Sequence, residues 1–103
     1  MAKSIRIRAL EISGKINLKA IISHPMESGT RKMKKTGKKV PAHFIKEVIV
    51  SRNKKIVMEA FWGSAISRNP YLSFEIPGKK GDLIELSWLD SRGDYDTAVS
   101  IVA

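Results

Sequence analysis

Two histidines, a methionine and a run of cations are the residues of this sequence best suited to chemistry. The stretch "SHPMESGTRKMKKTGKKVPAHF" (23–44) has His24 and His43 near its ends and six cations between them, Arg31, Lys32, Lys34, Lys35, Lys38 and Lys39. Imidazole and thioether suit soft metals. A hairpin closing near Ser23 and Ala42 would bring His24, Met26 and His43 together. That set has no clear fourth ligand, and neither H-x3-H nor H-E-x-x-H spacing occurs. The histidines therefore read as half-buried hydrogen-bonding groups at a loop base, with no metal and no cofactor expected.

The cations could neutralise phosphates, which would make binding steeply salt-dependent. Single-strand binders place aromatic rings between their cations for base stacking. Residues 25–42 contain none. The run therefore reads first as an exposed charged loop, second as a docking surface for an acidic protein, and only third as a nucleic-acid arm. Catalysis finds little support. No G-x-S-x-G elbow and no G-x-x-x-x-G-K phosphate loop is present, and Asp94 and Asp96 share a strand face beside a turn, where solvated charges are expected. A second unusual segment is "WGSAISRNPYLSFEI" (62–76), either a sheet-to-sheet crossover or a rigid loop presenting Asn69, Pro70 and Tyr71 to a partner. The Asn-Pro pair predicts extended geometry at Asn69.

The elements that must position these residues alternate with a period of two. "SIRIRALEI" sets Ile5, Ile7 and Ala9 against Arg6 and Arg8; "KINLKAII" sets Ile16, Leu18, Ala20 and Ile22 against Lys15, Asn17 and Lys19. "HFIKEVIVS" offers Phe44, Val48 and Val50, interrupted by Lys46, and "KIVMEAFW" offers Ile56, Met58, Ala60 and Trp62. "YLSFEI" contributes Leu72, Phe74 and Ile76, "LIELSWLD" Ile84, Leu86 and Trp88, and "YDTAVSIV" Tyr95, Thr97, Val99 and Ile101. The expected core is Ile16, Leu18, Ile56, Met58, Leu72, Phe74, Ile84, Leu86 and Trp88. About seven short strands parted by turn chemistry predict an all-β, immunoglobulin-like antiparallel β-sandwich over 1–103 as one domain. A small oligonucleotide-binding barrel is the alternative, but it needs a helix that the pattern lacks.

Composition narrows the function classes. The chain has 103 residues, no cysteine and a net charge of +9. Disulfides, thiolate metal sites and cysteine nucleophiles are excluded. No apolar run approaches the roughly 20 residues that span a bilayer, and no ordinary signal peptide is visible, so composition alone predicts a soluble cytoplasmic protein with no membrane role. Residues 1–55 hold 15 cations and three acids, against four cations and seven acids in 56–103. That asymmetry predicts an acidic partner for the first half.

"ISHPMESG" (22–29), "GKKVPAHFI" (37–45), "WGSAISRNPYLSF" (62–74), "KKGD" (79–82) and "SWLDSRGD" (87–94), in this order over nearly the whole chain, resemble the SoxZ family. Residues 31–39 depart from it in their lysine content. The resemblance implies an immunoglobulin-like, non-catalytic subunit that pairs with SoxY, whose cysteine on a flexible C-terminal arm carries sulfur intermediates in thiosulfate oxidation. It implies transient contact with other sulfur-oxidation enzymes and a periplasmic location reached by export with a signal-bearing SoxY, in place of the cytoplasmic expectation. Protein contacts are expected at His24, Pro25, Met26, Glu27, Gly29, His43, Asn69, Pro70 and Tyr71. The alternative function is a basic β-protein that binds nucleic acid non-specifically.

Overall fold

A computed structural model describes residues 4–103. Its seven strands are β1 (Ile5–Ile12), β2 (Lys15–Ile22), β3 (Ile45–Arg52), β4 (Lys55–Phe61), β5 (Tyr71–Pro77), β6 (Leu83–Asp90) and β7 (Tyr95–Ile101), with no helix among the described residues. They form two antiparallel sheets, β1-β2-β5 and β4-β3-β6-β7, the layered arrangement of an immunoglobulin-like sandwich. The predicted fold class is therefore the observed one.

The core fills from the inward row of each strand. Ile16, Leu18 and Ile22 from one sheet meet Val48, Val50, Ile84 and Leu86 from the other, all fully buried. Met58, Trp62, Leu72 and Phe74 pack against this cluster while partly exposed. One seam between the sheets is closed: the Glu11 amide donates to Ala103 and the Ala103 amide to Ala9.

Three strand faces differ from expectation, and two of the differences come from β-bulges, which shift side-chain parity by one residue. Between Ile45 and Glu47 the pairing of β3 with β6 slips by one. Lys46 is thereby extra, Ile45 takes the core position, and Phe44 is only half-buried. A second slip between Val50 and Ser51 makes Val57 extra, and Ile56, an expected core residue, turns outward at 58% exposure. On β7 the opposite parity is buried: Ala98 and Val102 face inward while Tyr95, Val99 and Ile101 face solvent. Small residues win there because β7 lies close against β1, where Ser4 donates to Asp96.

Residues 27–43 form a narrow ribbon. Its strands meet at bridges Glu27–His43 and Lys32–Lys39, and the Val40 amide donates to Arg31. The molecule measures 53 × 22 × 21 Å. Eight-residue strands span only about 26 Å, leaving the ribbon to supply the remaining length. Its six cations are all exposed, as is Met33 near its tip.

Candidate functional site

Four of the five segments that resemble the SoxZ family converge at one end of the sandwich, around a carboxylate that stands at the end of β6. Along β6 the inward row runs Ile84, Leu86, Trp88, Asp90, so the same parity that buries three apolar side chains buries an acid. Asp90 is 1% exposed. Its Oδ1 accepts the amides of Arg92 at 3.0 Å and Asp94 at 2.9 Å, which also fixes the β6–β7 turn. Its Oδ2 accepts from His43 Nε2 at 2.7 Å and His24 Nε2 at 3.0 Å.

The two histidines are not equivalent. The Met26 amide donates to His24 Nδ1 at 3.1 Å, so Nδ1 is an acceptor and the proton of neutral His24 sits on Nε2, facing Asp90. Both nitrogens of His24 are thus committed. His24 is 4% exposed, and its ring meets Trp88 edge-on at 5.2 Å and His43 at 4.6 Å. His43 spends Nε2 on Asp90, but its Nδ1 engages no group of the described residues. Its side chain is 18% exposed.

Local backbone serves this arrangement. Met26 adopts φ +49°, a left-handed conformation that costs a non-glycine residue on the order of 1–3 kcal/mol. That turn aims its amide at His24 and buries its thioether, which accepts the Ile45 amide. Asn69 adopts φ +52°, not the extended geometry expected before Pro70. Asparagine tolerates that region, and here its Oδ1 accepts the His24 amide while its own amide donates to the His24 carbonyl. The Ile22 amide donates to Pro70, and the Ser91 amide to Phe44. Gly29 at φ +88° leaves room for Ala42, whose Cβ would lie 3.2 Å from any added Cβ.

Burial alone would push the Asp90 carboxyl up, but the hydrogen bonds from His24, His43 and the two turn amides outweigh it and hold it below the usual carboxylate range. Asp90 is an anion at neutral pH. At the foot of the ribbon, the Arg31 hydrogen bond holds Glu27 below its ordinary value.

The expected contact residues therefore divide. Pro25, Asn69 and Tyr71 are exposed, and Glu27, Gly29 and His43 are half-buried. His24, Met26 and Pro70 are buried, so they build the end of the sandwich without reaching its surface. The His24–Asn69 bonds place "SHPMESG" and "NPYLS" side by side.

His24, His43 and Asp90 also supply three ligand atoms within 4.8 Å of one another. The proton positions disfavour a metal. A metal on His24 Nε2 would move the imidazole proton to Nδ1, where it would face the Met26 N–H, donor against donor.

A second feature lies on the outer face of β4-β3-β6-β7. Phe61 (75% exposed), Tyr95 (76%), Val99 and Ile101 stand there with Ile56, Ile49 and Leu89. A depression of about 270 Å³ between Glu47, Ile49, Ser87, Leu89, Tyr95 and Thr97 indents this face. The outer face of β1-β2-β5 is more cationic, with Arg8 opposite Lys19 and flanked by Arg6 and Lys15, and it also exposes Leu10, Ile12, Ile21 and Tyr71.

An exposed apolar sheet face and a buried polar knot thus sit on a sandwich of the immunoglobulin-like class. The chain belongs to the family described as sulphur oxidation protein SoxZ, whose family model matches residues 5–100, and it is a sulfur-oxidation protein. No curated protein matches it.

Proposed function

We propose that this chain is the non-catalytic subunit of a two-chain sulfur carrier and pairs with a SoxY-type subunit, whose cysteine holds the sulfur intermediates of thiosulfate oxidation. A covalent sulfur carrier needs a thiolate, and this sequence contains no cysteine. The observation that carries the pairing is the outer face of β4-β3-β6-β7. Phe61, Tyr95, Val99, Ile101 and Ile56 are exposed on one sheet face in a chain of only 103 residues. Ile49 and Leu89 lie between them on the central strands, and exposed apolar side chains gathered on one sheet face mark protein interfaces. Glu47, opposite Phe61, and Glu59, opposite Ile49, stand among these apolar side chains, so the partner surface is apolar with basic groups interspersed. The cationic face and the ribbon stay free for transient encounters with acidic sulfur-oxidation enzymes. The periplasm is the compartment this reading implies.

The test is co-expression with the SoxY-type partner and co-purification. Phe61→Asp or Val99→Asp should abolish the heterodimer and leave the melting temperature of the isolated chain within a few degrees of wild type, while Arg8→Ser should leave pairing intact. Full pairing by both aspartate variants would remove this face from the interface. Failure of the wild-type chains to associate would remove the function itself.

A further inference from the structure

We propose that His43 is a base for the partner's thiol, drawing its proton when the carrier arm reaches the Asp90 end of the sandwich. The proposal rests on the pairing proposed above and adds a chemical role for this chain.

Four imidazole nitrogens meet at this site, and three are spent: His24 Nε2 and His43 Nε2 on Asp90, and His24 Nδ1 on the Met26 amide. The fourth, His43 Nδ1, has no partner among the described residues and belongs to a side chain that is 18% exposed. Because Nε2 donates to a carboxylate, neutral His43 carries its proton there and shows a lone pair at Nδ1. A buried carboxylate that orients one ring nitrogen and leaves the other open to solvent is the geometry of a general base. His24, fully committed, holds Asp90 in place from the interior.

The chemical class of the proton donor follows from matching acidities. A free thiol, ionising near about 8.5, gives up its proton to an imidazole far more readily than a hydroxyl or an amide does, and it is the nucleophile the proposed partner carries. In the step, the S–H bond breaks and an Nδ1–H bond forms. The sulfur becomes a thiolate, the ring becomes an imidazolium, and the Asp90 carboxylate balances the new positive charge. No oxidant or further reactant is needed.

The charged groups around His43 permit this. His24 and Asp90 face it from within, and Glu27, paired with Arg31, lies across the ribbon bridge. Arg92 and Asp94 adjoin through the turn amides bound to Asp90. Beyond them stands the ribbon with its six cations, whose potential favours a thiolate over a thiol.

The experiment uses the heterodimer and measures iodoacetamide alkylation of the partner's carrier cysteine against pH. His43→Gln, which retains an N–H for Asp90, should lower the rate at neutral pH about tenfold and move the profile up by about one pH unit. An unchanged profile in a dimer of wild-type stability would overturn the proposal while leaving the pairing intact; absence of a dimer would remove both. Should His43→Gln fail to fold, the wild-type dimer still decides. The ¹⁵N shift of His43 Nδ1 should change when the carrier cysteine is replaced by serine, with His24 unmoved. An Nδ1 signal indifferent to that replacement would refute the thiol contact.

Discussion

Replacing Asp90 with asparagine isolates the physics of the knot, because it keeps the shape and removes the charge. The side chain has four bonds to lose or keep, two from turn amides and two from imidazole N–H groups. Asparagine has one acceptor oxygen. If that oxygen stays with Arg92 and Asp94, its NH₂ confronts two imidazole donors; if it flips, the turn amides lose their acceptor. Two charge-assisted bonds vanish either way, and buried donors are left facing a donor. Each is worth about 1.5–3 kcal/mol, so Asp90→Asn should cost roughly 3–5 kcal/mol. For a domain of this size that is a fall in melting temperature on the order of 20 °C. Urea unfolding at pH 7 reads the loss directly, and Asp94→Asn, on an exposed side chain in the same turn, serves as the control. The pH profile supplies the sign. The folded carboxyl lies below its ordinary value of 3.8, so its stabilisation is complete above that value and is lost as pH falls through the folded one. The variant should lack this acid-dependent component. A cost under about 1 kcal/mol would refute the reasoning, since a single neutral hydrogen bond would account for it.

Two further outcomes are expected. Protein purified without an affinity tag should contain substoichiometric zinc and copper by elemental analysis; one equivalent lost on His43→Ala would show that the Met26–His24 bond yields to a metal. Binding to duplex DNA or heparin should be weak and vanish by about 0.2 M salt, because only phosphate-type attraction is available. Sequence-selective binding that survives such salt would support the nucleic-acid alternative.

The sheets were legible in the sequence because seven segments alternate cleanly, and the inward rows of β1, β2, β5 and β6 follow that alternation residue by residue. The bulges were not legible, since one extra residue leaves no local signature beyond an awkward pattern such as Phe44, Lys46, Val48. On β7 side-chain size misled: the large residues face outward and the small ones fit the seam with β1. The histidine pair could be read as neighbours at a loop base, but their shared partner was missed. Its signal was available in parity, because Asp90 continues the row of Ile84, Leu86 and Trp88. What no pattern shows is that Met26 and Asn69 turn left-handed to serve His24, so a loss of function in His24→Ala reports damage to the scaffold as well as any lost contact.

The bare face of β4-β3-β6-β7 bears on how long the chain survives as much as on what it binds. A partner that covers Phe61, Tyr95 and Val99 binds only the folded state, so it shifts the unfolding equilibrium by mass action. At a hundred times its dissociation constant that shift is about 2.7 kcal/mol, a sizeable share of the 5–15 kcal/mol that holds an ordinary domain folded. Under the pairing proposed here, production of the two chains in equal amounts becomes a physical requirement. A surplus of this one would circulate with an adhesive face exposed, restrained from self-association mainly by its net charge of +9.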